Sequence, residues 1–167
     1  DKFDFKTCVD YGCAKGFLVH ALRILGCDAY GEDISEYAIE NCHPAVKKYV
    51  SHPNNKVYDL LICKDVLEHI DEVNIPDVLE KFLRKSNQFF FTIPLGDNDR
   101  FRIREYEVDV THVTKKDEEW WINMFERNGF KLKEFRYNLG SIKEKWMPEH
   151  PYGNGFFILE SVNDNTR

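Results

Sequence analysis

The residues best suited to chemistry lie near the amino end, where an acid, a tight glycine turn and the start of a helix follow one another. Residues 7–9 are strand formers and lead directly to Asp10. Gly12 and Gly16 permit backbone conformations or close approaches that a Cβ would obstruct. After them, apolar residues recur at helical spacing: Phe17, Leu18, Ala21, Leu22 and Leu25. A strand, a turn and a helix in this order predict a nucleotide-cofactor site at the carboxyl end of the first strand.

The turn does not match the common phosphate-binding patterns. A dinucleotide fingerprint needs glycines in the pattern Gly-x-Gly-x-x-Gly, but those places hold Gly12, Ala14 and Phe17. The side chains of Ala14 and Phe17 would crowd a pyrophosphate that must lie on bare backbone. The Gly-Lys-Ser/Thr sequence of a P-loop is also missing. The turn therefore favours a cofactor without phosphate, and a nicotinamide-dependent oxidoreductase is kept as an alternative.

The turn resembles the Asp-x-Gly-x-Gly/Ala-x-Gly signature of class I S-adenosylmethionine (SAM) methyltransferases, matched by Asp10, Gly12, Ala14 and Gly16. SAM has no phosphate, and it carries a sulfonium and an ammonium that suit a carboxylate. The resemblance implies SAM as the cofactor. The cofactor contacts that it implies in this segment are Asp10, Tyr11, Gly12, Cys13 and Gly16. The alternative is an ordinary strand-to-helix turn whose glycines only pack.

A second acid follows at the end of the next predicted strand, residues 28–33. Asp33 lies about 20 residues past the glycine turn, where a two-strand nucleotide site places an acid for the ribose hydroxyls. The run Gly31 to Ser35 resembles the GxDxS stretch of the same methyltransferases, which implies that Asp33, rather than Glu32, is the ribose ligand. Ile34 is then a neighbouring cofactor contact. The alternative is a helix N-terminal acid favoured by the dipole.

The clearest strand covers residues 57–63, which are almost all apolar, as expected for a strand buried on both faces. The sequence Asp-Val-Leu-Glu-His-Ile that follows Lys64 resembles the segment after the fourth strand of class I methyltransferases. The resemblance implies that Cys63 and Lys64 pass beside the methionine part of SAM, through backbone groups. For Glu68 and His69 we favour a helix-start acid and a histidine bonded to nearby backbone.

Residues 95–114 form a long connection with little periodicity, and such segments in compact domains are usually functional or mobile. We interpret it as a lid that binds the acceptor. His112 is the candidate base, because the ordinary pKa of histidine, ~6.5, suits removal of a proton from a hydroxyl. Asp109 is expected to orient it. The alternative is that His112 only bonds to the loop or caps the next helix.

The elements predict an α/β fold, and the resemblance implies a three-layer αβα Rossmann-like sheet of seven strands in the order 3-2-1-4-5-7-6, with strand 7 antiparallel. The third strand is weakly predicted near residues 45–50. The last two strands have no clear helix between them, so they are expected to pair as a hairpin. The predicted helices are 17–25, 36–48, with Ser35 as cap, 75–85, and 115–128, with Thr114 as cap.

Composition indicates one globular domain covering residues 1–167. The chain has 43% hydrophobic and 31% charged residues, with a formal net charge of −6, which argues against a nucleic-acid partner. Its five cysteines form no Cys-x-x-Cys pair and its six histidines show no metal-ligand spacing, so reduced thiols and no metal site are expected. The sequence shows no signal peptide and no apolar run long enough to cross a membrane, and a cytoplasmic location is expected.

The resemblance covers Cys8 to about Leu159 and implies a SAM-dependent methyltransferase. A small-molecule or glycan acceptor methylated at oxygen is expected, because Asp-Val-Thr-His-Val at 109–113 with Trp120-Trp121 resembles methyltransferases of sugar modification. A degenerate methyltransferase fold that only binds a partner is the alternative. Helices that usually precede the first strand in the family are missing from this sequence, so it is a fragment or a minimal version. A homodimer is compatible with it.

Overall fold

The computed structural model describes residues 3–162 and has a central seven-stranded sheet in the order β3-β2-β1-β4-β5-β9-β8. All neighbouring strands are parallel except β9, which runs antiparallel to β5 and β8. In chain order the strands are β1 (Thr7–Tyr11), β2 (Asp28–Glu32), β3 (Val50–Ser51), β4 (Leu60–Lys64), β5 (Gln88–Pro94), β6 (Gly96–Asp97), β7 (Arg100–Phe101), β8 (Phe130–Arg136) and β9 (Asn154–Ser161). The predicted order is confirmed, since β8 and β9 are the sixth and seventh predicted strands. The short β6–β7 hairpin is additional.

The helices are α1 (Phe17–Ile24), α2 (Glu36–Glu40), α3 (Ile75–Leu83) and α4 (Glu118–Arg127). Short 3₁₀ turns occupy Pro44–Tyr49, Leu67–His69, Glu72–Asn74, Arg104–Val108 and Glu144–Trp146. Within residues 3–162, no helix has the length and apolar character needed to span a bilayer.

The sheet buries a different hydrophobic cluster on each face, because successive strand residues point to opposite sides. On one face α3 and α4 cover the sheet with large side chains: Ile75, Leu79, Phe82, Trp121 and Phe125. On the other face α1 and the turn at Pro44–Tyr49 supply Val19 and Val46. This arrangement makes three layers, as predicted, with the carboxyl ends of β1, β2 and β4 at one edge.

The buried face of α1 differs from the predicted one. Phe17 is 66% exposed and Leu25 is 78% exposed, whereas Val19 is fully buried. Apolar residues occur on every side of this helix, so their spacing alone does not select the face that meets the sheet.

Helix α2 ends at Glu40, eight residues before its predicted end at Lys48. The physical reason is Pro44, because a residue that precedes proline is disfavoured in helical conformation. His43 accordingly has extended backbone (φ −54°, ψ 127°) and starts the 3₁₀ turn. Only Val50 and Ser51 then remain for β3, which explains the weak prediction of that strand.

Helix α4 is capped by Asp117 rather than by Thr114. The Asp117 carboxylate accepts from the amide of Trp120 at 2.8 Å, and the helix starts at Glu118. Thr114 is instead buried and donates its hydroxyl to the carbonyl of Ile70 at 2.7 Å. This bond fixes the end of the long 95–114 connection against the segment that follows β4.

An ion pair lies inside the fold at the end of β2. Glu32 is fully buried, and Lys85, just after α3, is 5% exposed. The ammonium of Lys85 lies 2.8 Å from both carboxylate oxygens of Glu32 and also donates to the carbonyl of Asn54. Burial raises the pKa of Glu32, while Lys85 opposes that shift. A buried acid of this kind needs its partner, since an unpaired charge in the interior is costly.

We predict that Lys85→Met lowers the free energy of unfolding by about 3–5 kcal/mol, because Glu32 loses its counter-charge. The double variant with Glu32→Leu should recover most of the loss. The matched control is Arg84→Met, which breaks an exposed i,i+4 pair with Glu80 and should cost under about 0.5 kcal/mol. Urea unfolding measures all three. Equal losses for Lys85→Met and Arg84→Met would contradict the prediction.

Candidate active site

Three parallel strands end side by side at the site. Tyr11, the last residue of β1, is in register with Glu32 of β2 and with Cys63 of β4. The acids Asp10 and Asp33 therefore lie at the same edge of the sheet, and the charge of Asp33 raises the pKa of Asp10. This is the edge at which open α/β sheets bind ligands.

The glycine turn closes tightly over the end of β2. Gly12 has φ +78°, a left-handed conformation that favours glycine. Its amide donates to the carbonyl of Glu32 at 2.7 Å, and the amide of Cys13 donates to the same oxygen at 3.1 Å. A Cβ added to Gly12 would lie 2.3 Å from Cγ2 of Val66. Glycine is thus required at position 12 by both conformation and packing.

The next part of the turn begins α1. Gly16 is its left-handed N-cap residue (φ +72°) and has no side chain to cap the helix. Cys13 is buried, and its sulfur lies against Gly31, where a Cβ would approach Sγ to 2.6 Å. The turn after β1 can therefore approach β2 closely only because position 31 is a glycine. Nothing in the sequence indicated this packing role of Gly31.

Asp33 ties the turn to the end of β2. One of its carboxylate oxygens accepts from the amide of Ala14 at 2.7 Å, and the other accepts from the amide of Ser35 at 2.8 Å. The side chain is only partly buried, so it is oriented by the backbone and still accessible to a ligand.

Asp10 is 5% exposed, and within residues 3–162 no hydrogen bond reaches its carboxylate. Burial raises its pKa to about 7, with a smaller opposing effect from Lys64 and a further increase from Asp33. A nearly buried carboxylate without a donor suits a ligand that brings positive charge. The residues at this edge therefore fit a cationic cofactor better than an anionic one.

The other sequence-predicted contacts take varied positions around this edge. The ring of Tyr11 packs on Phe82 with centroids 4.7 Å apart, and Cys63 lies in the core, so each offers a ligand its backbone. Ile34 is 81% exposed beside Asp33. Lys64 is exposed, and its ammonium lies 2.5 Å from the carboxylate of Asp65.

The 95–114 connection returns across the segment that follows β4. The amides of Val113 and Thr114 both donate to the carbonyl of Glu68, at 2.9 and 3.0 Å. Arg102 binds Asp97 and Glu118, each at 2.7 Å, and so fastens the β6–β7 hairpin to α4. The end of the connection is thus fixed against the segment that follows β4, and its function as a lid stays a prediction.

His112 and Asp109 both lie on this connection. Nδ1 of His112 is 2.7 Å from the carbonyl oxygen of Tyr106. Asp109 Oδ1 accepts from the hydroxyl of Thr111 at 2.6 Å, while its Oδ2 is 3.8 Å from Nε2 of His112. Asp109 thus forms its hydrogen bond with Thr111 and contacts His112 at longer range.

Glu68 and His69 join His112, which the sequence did not predict. One ligand atom from each of the three lies within 4.8 Å of the others. Glu68 is fully buried, and burial raises its pKa to about 8, with Asp65 adding to the shift. Burial also lowers the pKa of His69, as does the neighbouring His112. The only signal of this cluster in the sequence was the pair of neighbours Glu68 and His69. The third member, His112, lies 43 positions after His69 in the chain, so sequence spacing does not connect it with them.

Lys143 is a second residue that sequence reasoning missed. Its ammonium lies 2.5 Å from Asp65 Oδ1, 2.8 Å from Asn154 Oδ1 and 3.1 Å from the hydroxyl of Tyr106. Lys143 and Asp65 are both left-handed, with φ of +56° and +55°. This cation anchors the connection between β8 and β9 beside the lid, and nothing in the sequence of that connection indicated it.

We predict that Asp10→Asn flattens the pH dependence of stability. The folded-state pKa of about 7 exceeds the ordinary 3.8, so folding holds a proton between these values and stability falls as pH rises through them. The loss of unfolding free energy that comes from ionising Asp10 is absent below pH 4 and complete above pH 7, and it amounts to at most about 4 kcal/mol. Urea unfolding at pH 5 and pH 8 should show Asp10→Asn losing less stability than wild type. The control Asp77→Asn, on the exposed side of α3, should follow wild type.

Comparison with known proteins matches this chain to a described family. A family model described as "Methyltransferase domain" matches residues 1–134. A comparison with curated protein sequences found no match.

Solved structures are similar in fold. Mitomycin 7-O-methyltransferase has a TM-score of 0.73 at 14% identity, over 96% of this chain and 50% of that one. A SAM-dependent methyltransferase from Archaeoglobus fulgidus has a TM-score of 0.69 at 15% identity, over 94% and 86%. Magnesium protoporphyrin IX methyltransferase from Synechocystis PCC 6803, solved with bound SAH, has a TM-score of 0.69 at 16% identity, over 96% of this chain and 76% of that one. At these identities the likeness is one of fold.

Proposed function

Because this chain belongs to the family of methyltransferase domains, we propose that it transfers a methyl group from SAM to an oxygen of a small molecule or sugar. SAM is the cofactor of this class of enzyme. The observation that carries the proposal is the pairing of Asp10 and Asp33 at adjacent strand ends around the Gly12 turn.

Each acid has a separate role toward the cofactor. Asp33 accepts from the ribose hydroxyls, since its oxygens are held by backbone amides at the mouth of the turn. Asp10 balances the positive end of SAM, since no hydrogen bond from residues 3–162 reaches its carboxylate. Gly12 and Gly16 keep the turn free of side chains. Backbone groups of the flanking residues complete the site: Tyr11, Cys13, Ile34, Cys63 and Lys64.

When bound, SAM supplies a methyl carbon activated by a positively charged sulfur. The chain must hold the acceptor oxygen in line with that carbon, and correct positioning is worth several kcal/mol of barrier. It must also accept the hydroxyl proton. We assign this role to His112. The carbonyl of Tyr106 can only accept, so Nδ1 carries the hydrogen and Nε2 keeps a lone pair. Asp109, whose Oδ2 lies 3.8 Å from Nε2 of His112, would stabilise the imidazolium that forms.

The acceptor class has two sources of support. The lid is rich in polar side chains that suit hydroxyl-bearing acceptors, and Tyr106 and Lys143 present a hydroxyl and an ammonium beside it. One solved neighbour is an O-methyltransferase acting on a small molecule, mitomycin.

We predict that Asp33→Asn weakens binding of S-adenosylhomocysteine about 10–100-fold, because hydrogen bonds to a charged group contribute roughly 1.5–3 kcal/mol. Titration calorimetry measures the affinity, and circular dichroism confirms folding. Asp77→Asn is the control, since it changes an exposed acid far from the turn. Failure of the folded wild-type protein to bind this compound would refute the proposed function.

We predict that His112→Ala lowers kcat about 10²–10⁴-fold, as expected for loss of a general base. The affinity for S-adenosylhomocysteine should be unchanged. Methyl transfer from labelled SAM to a panel of hydroxylated small molecules and sugars measures the rate. The control is His52→Ala, an exposed histidine paired with Glu36. An unaltered rate in His112→Ala would leave this histidine a structural role only.

A further inference from the structure

Three groups that can donate electron pairs converge where the lid meets the segment after β4. They are the carboxylate of Glu68 and the imidazoles of His69 and His112, and one ligand atom of each lies within 4.8 Å of the others. The two rings are neighbours, with centroids 4.5 Å apart and planes tilted by 56°. The chain thus brings together a carboxylate and two nitrogens from segments 43 residues apart.

Both histidines have one ring nitrogen held by an acceptor. Nδ1 of His112 lies 2.7 Å from the carbonyl of Tyr106, which can only accept. Nδ1 of His69 lies 2.8 Å from the hydroxyl of Thr111. That hydroxyl donates to Asp109 at 2.6 Å, so it accepts from His69. Each ring therefore carries its hydrogen on Nδ1 and has a lone pair on Nε2, as ligating histidines do when their other nitrogen is fixed.

The carboxylate of Glu68 lacks a partner. The side chain is fully buried, and neither of its oxygens accepts a hydrogen bond from another of residues 3–162. The nearby ammonium groups of Lys64 and Lys143 are both bound to Asp65, each at 2.5 Å. A buried acid without a donor or counter-charge is costly, and a cation beside it would remove that cost.

We propose that Glu68, His69 and His112 bind a divalent first-row transition-metal ion of the Mn²⁺, Co²⁺ or Zn²⁺ type. Two imidazoles with one carboxylate suit these ions, whereas Mg²⁺ and Ca²⁺ prefer oxygen ligands throughout. Three protein ligands leave coordination positions open, as in catalytic rather than structural metal sites. The fixed tautomers and the buried Glu68 are features of a prepared site, and the exposed His69 leaves it reachable from solvent.

A catalytic consequence rests on the proposed function. If methyl transfer goes to oxygen, the open positions of the ion lie beside the lid, where the acceptor hydroxyl would be held. A bound divalent ion lowers the pKa of a coordinated hydroxyl. In the metal-bound protein the hydroxyl proton would therefore leave to water while Nε2 of His112 holds the ion, whereas His112 is the base in the metal-free protein. His112→Ala lowers kcat in both cases.

The test is titration of the chelator-treated full chain with Co²⁺, followed by visible absorption and by calorimetry. Wild type should bind one ion and develop the absorption bands of nitrogen-coordinated Co²⁺, and Zn²⁺ should displace it. Glu68→Gln, His69→Ala and His112→Ala should each weaken binding at least ~10-fold and change the bands. Thr111→Ala, which removes the acceptor of His69 Nδ1–H together with its hydrogen bond to Asp109 but leaves all three ligands, should weaken it about 10-fold. His52→Ala is the matched control and should bind as wild type.

Glu68→Gln keeps the size of the side chain, and circular dichroism checks that each variant is folded. Binding that is absent in folded wild type at ~100 μM Co²⁺, or unchanged in all three ligand variants, would overturn the metal site. Titration with S-adenosylhomocysteine is run on the same samples. Cofactor binding without Co²⁺ binding removes the metal site alone, whereas Co²⁺ binding without cofactor binding removes the proposed methyl transfer alone.

Discussion

Two backbone amides, those of Gly12 and Cys13, donate to the carbonyl oxygen of Glu32, and these hydrogen bonds join the ends of β1 and β2. The rest of the site depends on this junction, because it sets the distance between Asp10 and Asp33. The junction is possible only with glycine at position 12, where Val66 packs within reach of any Cβ. The side chain of Glu32 pairs with the buried ammonium of Lys85. Glu32 therefore links the glycine turn, through its carbonyl, to the buried interior, through its carboxylate.

Burial of two acids at the site lowers the stability of the folded chain. Asp10 and Glu68 are almost fully buried, and burial raises the pKa of each well above the ordinary range. Two such carboxylates weaken the folded chain at neutral pH unless positive charge joins them. Stability given up at particular residues is typical of binding sites. In this chain one loss arises at the end of β1, beside the glycine turn, and the other after β4, where the 95–114 connection bonds to the carbonyl of Glu68.

Sequence reasoning predicted the sheet because β4, β5 and β9 are nearly continuous apolar runs, and because the resemblance implied the order of the strands. It failed where a local feature overrode periodicity. Pro44 shortened α2, and apolar residues on every side of α1 concealed its buried face. The cluster of Glu68 with His112 was out of reach for a different reason: it is made by a long connection whose path no periodicity describes.

The carboxyl end of the lid, at residues 113 and 114, is fastened to main-chain carbonyls. The amides of Val113 and Thr114 donate to the carbonyl of Glu68, and the hydroxyl of Thr114 donates to the carbonyl of Ile70. Hydrogen bonds to carbonyls do not depend on which side chains occupy the middle of the connection. Exposed positions such as Asn98, Asp99, Arg104 and Glu105 are thus free to change during evolution while the anchor persists. A lineage of this protein would acquire new acceptors by exchanging them, without rebuilding the cofactor edge.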